Sequence, residues 1–190
     1  MGMPLPVPRF TIDMLDQFPD DGTRYELLEG FVLVTPAPSY AHQVVATRIV
    51  HALMSTLGPD GPARVVAVGA IQQGERTQLQ PDILVCPAEF PPTADWRDMH
   101  GWWLAVEVLS PSSRVYDREV KRGAYLMLGV EEYWLVDPVQ CSVEVWTRDR
   151  LESRIVMHRL AWRPAALDRE IMVDLDTIFR DLCSPDSDEP

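Results

Sequence analysis

Residues 102–109, WWLAVEVL, are apolar throughout except for one carboxylate, Glu107. A run of this kind, bounded by Gly101 and by Ser110-Pro111-Ser112-Ser113, reads as a buried strand ending in a turn. A helix-like segment follows over 117–128 and a second apolar run over 133–136, closed by a turn at Asp137-Pro138. The helix carries Lys121, the only lysine of the chain; every other basic side chain is arginine. Burying an unpaired charge costs several kcal/mol. One acid on a buried strand and one lysine on the next helix therefore call for pairing or for a metal ion. Alternation places Trp103, Ala105, Glu107 and Leu109 on one face of the strand, and Trp102, Leu104, Val106 and Val108 on the other.

The rest of the chain supplies partners for this unit. Residues 1–9 are rich in proline and read as an irregular lead-in. A short helix is expected over 11–18 with Thr11 as N-cap. In RYELLEGFVLV, Glu29-Gly30 separates two β-prone runs, which predicts a hairpin with strands at 24–28 and 31–35. Glu26 falls inside the first strand, either as a half-exposed strand acid or as a site residue. Ser39 is a good N-cap. From 40 to 57, Val45, Ile49, Ala52, Leu53 and Leu57 recur at helical spacing, and Gly58-Pro59 stops the helix. His42 and Gln43 fall in its first turn, as capping and surface residues or as polar groups of a site. A strand is expected over 64–73, with Gly69 marking a bulge, and a polar turn over 74–80. PDILV then opens a short buried strand, with Pro81 where the missing N–H matters least and Asp82 at the strand mouth. Residues 88–100 read as a loop that folds over the site, 142–146 and 154–160 as strands, and 176–182 as a terminal helix. The outline is a mixed sheet with one helix on each face. It is taken as one domain over 1–183, with an acidic tail at 184–190 expected to fray.

Composition narrows the function. The 190 residues, 46% hydrophobic, can bury a sizeable core. The net charge of −12 argues against a general nucleic-acid coat, leaves room for a local basic groove, and suits a site that collects divalent cations. The widely spaced Cys86, Cys141 and Cys183 form no CxxC pair and read as reduced thiols of a cytoplasmic protein. No run approaches the ~18 apolar residues that span a membrane.

If the strands holding Asp82 and Glu107 are neighbours, the two carboxylates come together and both can ionise only beside a compensating cation. Mg²⁺ takes one or two carboxylates together with waters and phosphate oxygens. On the helix, Asp117, Lys121, Tyr125 and Leu128 share one stripe. Tyr125 and Leu128 should face the sheet, so Lys121 should as well, although an exposed Asp117–Lys121 pair would give the same spacing. Arg114, Arg118 and Arg122 form a neighbouring basic stripe.

YELLEG, the Ser-x-x-His-Gln helix start, QPDILV, AVEVLSPSS and YDREVKRGAYLMLGVEEYWLVDP together resemble the Uma2 family, restriction-type endonucleases of the PD-(D/E)XK nuclease superfamily. The likeness runs from about residue 25 to 146. It implies an α/β (α+β) restriction-endonuclease-like fold: a mixed β-sheet core flanked by helices, with an N-terminal β-hairpin. It also implies metal-dependent hydrolysis of DNA phosphodiester bonds. Asp82 and Glu107 match the superfamily acids, and with Glu26 would ligate Mg²⁺ or Mn²⁺. The position two residues after Glu107 is Leu109 rather than lysine, and Lys121 on the following helix fills the lysine's place, as in the Uma2-like pattern. His42 and Gln43 match the family's His-Gln pair and would contact phosphate or the metal ligands. Arg114, Arg118 and Arg122 are candidate contacts to the DNA backbone.

Two other readings compete: a nuclease-like fold kept as a binding or assembly module with little hydrolysis, which the acidic charge favours, and a hydrolase using Glu107 as general acid, which leaves Lys121 unexplained. Strand-edge pairing would also allow a homodimer.

Overall fold

A computed structural model describes residues 9–110, 116–150 and 152–183. The predicted hairpin forms with the predicted bounds, β1 (Arg24–Leu28) pairing antiparallel with β2 (Phe31–Thr35). It is preceded by α1 (Ile12–Leu15), shorter than expected; Thr11 takes the expected N-cap position, without a side-chain bond. Helix α2 (Tyr40–Leu57) is capped as the sequence requires. The Ser39 hydroxyl accepts from the His42 N–H at 3.3 Å, and Gly58 ends the helix at φ 80°, in the region that favours glycine.

The expected strand 64–73 is two strands in two sheets. Strand β3 (Ala63–Ala67) ends where Val68 turns to φ 54°; β4 (Ile71–Gln73) then leaves for the hairpin sheet. Gly69 sits at the break because its backbone touches Leu84: a Cβ there would lie 2.7 Å from Leu84 Cδ2. The expected polar turn 74–80 holds a buried strand, β5 (Thr77–Leu79), which pairs with β4 and β1 and completes a four-stranded sheet ordered β2-β1-β5-β4.

The main sheet has six strands. It contains β3, β6 (Ile83–Pro87), β7 (Leu104–Val108), β8 (Glu132–Asp137), β9 (Ser142–Thr147) and β10 (Arg154–Val156), ordered β10-β9-β8-β7-β6-β3. Its pairings are antiparallel except β7 with β8, which the intervening helix makes parallel. That helix opens as one π-turn, Asp117–Lys121, and continues as α3 (Arg122–Met127). The expected strand 154–160 divides into β10 and β11 (Arg159–Trp162), and β11 pairs with an unanticipated β12 (Ile171–Asp174) ahead of α4 (Leu175–Ile178).

Helices cover both faces of the sheet, as expected, but α2 shares its face with α4 and the β11–β12 pair. Val45, Ile49, Leu53 and Leu57 of α2 pack with Leu104, Val106 and Val108 of β7 in one core. Ala124 and Tyr125 of α3 pack with Ala105, Leu109, Tyr133 and Leu135 in the other, which also takes in Leu33 and Leu79 of the hairpin sheet. Trp102 and Trp103 precede β7 and each joins the core opposite to the one that alternation predicts. Cys141 and Cys183, read as separate reduced thiols, form a pair with Cα atoms 6.4 Å apart, a separation that a disulfide spans; Cys86 is buried and free. Among the described residues no helix is long and apolar enough to cross a membrane.

Candidate active site

Six buried polar residues, Glu26, His42, Asp82, Glu107, Asp117 and Lys121, meet at one end of strands β6 and β7. Pairing of Ile83 with Val106 brings Asp82 level with Glu107, one residue beyond the last paired position. The Val108 N–H donates to Asp82 Oδ2 at 2.8 Å. Asp82 and Glu107 line one small pocket together with Arg24, His42, Asp117 and Lys121. Its free volume of about 20 Å³ is room for little more than a water molecule.

Lys121 lies at the centre, 2% exposed. Its Nζ is 2.6 Å from Glu26 Oε2, 3.0 Å from Glu107 Oε1 and 3.6 Å from Asp117 Oδ1. Each acid arrives from a different element. Glu26 is on β1, whose alternation turns Leu27 toward Ile12 and Leu15 and Glu26 toward the main sheet. Its Oε1 accepts from the Gln80 N–H at 2.7 Å. Glu107 is on β7, and its Oε1 also accepts from the Tyr125 hydroxyl at 2.7 Å. Asp117 opens the π-turn, and its carbonyl accepts both the i+5 N–H of Arg122 and the Tyr133 hydroxyl, the latter at 3.2 Å. Turns of this kind are frequent at functional sites.

Burial and charge divide the acids. Burial pushes the Glu107 carboxyl well above the usual range; Lys121 offsets this in part, while Asp82, Asp117 and Glu26 add to it. Burial also penalises the Lys121 ammonium, but Glu107, Glu26 and Asp117 outweigh it and raise its pKa. Asp82 goes the other way. Burial raises its pKa, yet the His42 hydrogen bond at 2.9 Å, the Arg24 guanidinium at 2.9 Å and the Val108 N–H bring it down to about 2. The outcome is an ammonium and an ionised Asp82 beside a Glu107 that burial disposes to hold a proton.

The four expected acid and lysine positions thus meet, and His42 joins them. Gln43 does not line the pocket; its side chain is on the exposed side of α2. Arg118 pairs with Glu144 at 3.3 Å and Arg122 stacks over the Trp146 ring at 4.2 Å, so both lie along β9 rather than in the pocket. Arg114 lies outside the described residues. Sequence reasoning missed Arg24 as a member of the site and treated Asp117 only as a helix partner of Lys121. The alternation of β1 carries the signal for Arg24, which shares a face with Glu26.

As a metal site, the donor set is hard oxygen of the kind that suits Mg²⁺ or Mn²⁺. Among the described residues, no three acids, histidines or cysteines converge as a ready-made cage; the carboxylates converge on Lys121 instead. A larger cleft of about 1050 Å³ at the opposite end of the sheet is lined by Glu132, Arg150, Arg154 and Arg163 and shares no residue with the buried cluster.

The comparisons agree with this architecture. A solved structure described as a "putative nuclease belonging to DUF820" from Anabaena variabilis superposes with a TM-score of 0.72 over 92% of this chain and 99% of that one, at 20% identity. That likeness shows that the two chains share one fold. No curated protein matches the sequence. The family model described as "putative restriction endonuclease" matches residues 12–171, and the chain therefore belongs to the Uma2 family.

Proposed function

We propose that this protein is a metal-dependent endonuclease that hydrolyses DNA phosphodiester bonds at the pocket around Lys121. One observation carries the reading: a buried ammonium held 3.0 Å from the strand acid Glu107, in a pocket that also contains Asp82. Asp82 and Glu107, with Glu26 beside them, are the residues that would hold Mg²⁺ or Mn²⁺. When bound, the ion supplies the Lewis acidity that polarises the scissile phosphate and acidifies a water. The chain's own residues do the rest. Val108 and His42 fix the Asp82 carboxylate in place. Lys121, kept protonated by its acid neighbours, acts as a donor of positive charge and hydrogen bonds to the attacking water or to a phosphate oxygen, not as a base. Arginine could not replace a compact ammonium at this spot.

Supercoiled plasmid incubated with Mg²⁺ or Mn²⁺ tests the proposal. Wild type should nick it, and Glu107→Gln and Lys121→Ala should each lower the rate by about a hundredfold or more. A wild type without cleavage at any concentration of either metal would sink it. The second reading, a nuclease fold serving as a binding module, draws on the closed state of the pocket. Lys121 stands among the acids and Asp82 accepts from Arg24, His42 and Val108. A metal would have to rearrange these contacts.

A further inference from the structure

Arg24 holds Asp82 with only part of its hydrogen-bonding capacity. Its Nη1 makes both of its bonds, 2.9 Å to Asp82 Oδ1 and 3.2 Å to the Gln80 carbonyl. A guanidinium has five N–H donors in a planar fork. The Nη2 and Nε donors find no protein acceptor among the described residues, although the side chain is only 16% exposed and lines the pocket. Asp82 does not depend on Arg24 for its orientation, since His42 and the Val108 N–H hold its other oxygen. The pocket wall also needs cationic donors. It sets Asp82, Glu107 and Asp117 against Lys121 and Arg24, with Glu26 just behind. In this closed arrangement the Lys121 ammonium is engaged by Glu26, Glu107 and Asp117, so until those contacts rearrange an entering anion meets Arg24 as the cation with spare donors among the described residues of the pocket.

We propose that Arg24 is a phosphate clamp. Its Nε and Nη2 grip two non-bridging oxygens of the scissile phosphodiester while Nη1 stays on Asp82. One planar group then ties the substrate phosphate to a carboxylate of the site, which sets their relative position. Side-on, two-point binding of phosphate is what the guanidinium fork does and an ammonium does not. The inference rests on the nuclease reading and adds a substrate-binding residue to it.

The test separates phosphate binding from metal binding. Wild type, Arg24→Lys and Arg24→Gln, each checked for folding by circular dichroism, are titrated with Mn²⁺ alone by electron paramagnetic resonance. They are then titrated with a short fluorescein-labelled DNA duplex, with Ca²⁺ in place of Mn²⁺ and the duplex checked for cleavage on a gel. Both variants should bind the duplex about tenfold or more weakly. Lysine should not rescue, and Mn²⁺ affinity should stay equal or become tighter. If Arg24→Gln fails to fold, Arg24→Lys carries the comparison. A lysine variant equal to wild type, or duplex and Mn²⁺ affinities falling together, would overturn the clamp. Wild type that binds Mn²⁺ but no duplex would overturn the clamp and leave the metal site standing. Wild type that binds no Mn²⁺ would overturn the nuclease reading and the clamp with it.

Discussion

Glu107 and Lys121 share a buried hydrogen bond, yet the protein responds to their charges differently. Burial raises the Glu107 carboxyl well above its ordinary value. The folded state therefore holds a proton that the unfolded chain has released between pH ~4.5 and that raised value. Stability conferred by this group is fully present below the unfolded value and is lost as pH rises through the folded one. Glu107→Gln, which keeps the shape and removes the titration, should flatten this dependence. In EDTA, its melting temperature relative to wild type should climb between pH 5 and pH 8; a constant difference across that range would show that burial does not strain this carboxylate. The need for a partner to Lys121 was legible from composition alone, because a single lysine beside an apolar strand has few places to go. The membership of Arg24 was not. An arginine at a hairpin strand's start is ordinary, and its role appears only when Asp82 from another sheet arrives 2.9 Å away.

At the scale of elements, the path of the chain from β3 to β6 decides whether Asp82 reaches the pocket. Val68 and Gly69 break one continuous β-prone run and send β4 to the hairpin sheet, and Gly69 makes that turn against the buried Leu84, two residues past Asp82. A methyl group has no space there, since it would sit 2.7 and 2.9 Å from Leu84 side-chain atoms. Gly69→Ala should destabilise the protein by about 1–3 kcal/mol, read as a lower urea midpoint; an unchanged midpoint would mean that β6 is not held by this contact. Periodicity found α2 and both hairpin strands to the residue, because each has its own start and stop residues. It merged β3 with β4 and overlooked β5, because Thr77–Leu79 is buried yet reads as polar. The π-turn was equally hidden, since spacing alone does not show that the Tyr133 hydroxyl accompanies the Asp117 carbonyl.

For the whole molecule, the site exists only where two sheets and two helices meet. β1 brings Glu26 and Arg24, β6 and β7 bring Asp82 and Glu107, α2 brings His42, and the π-turn brings Asp117 and Lys121. The family fold was legible in the motifs, which span most of the chain. The closed arrangement of the pocket was not, because it depends on distances between residues up to about a hundred positions apart. Whether the pocket takes up a divalent ion is read from crystals grown in Mn²⁺ and measured at its absorption edge. Metal binding at this pocket predicts an anomalous peak bonded to the carboxylates of both Asp82 and Glu107, with Lys121 displaced from between Glu26 and Glu107. Saturating Mn²⁺ that leaves no peak there, with Lys121 still bridging the two glutamates, would contradict it.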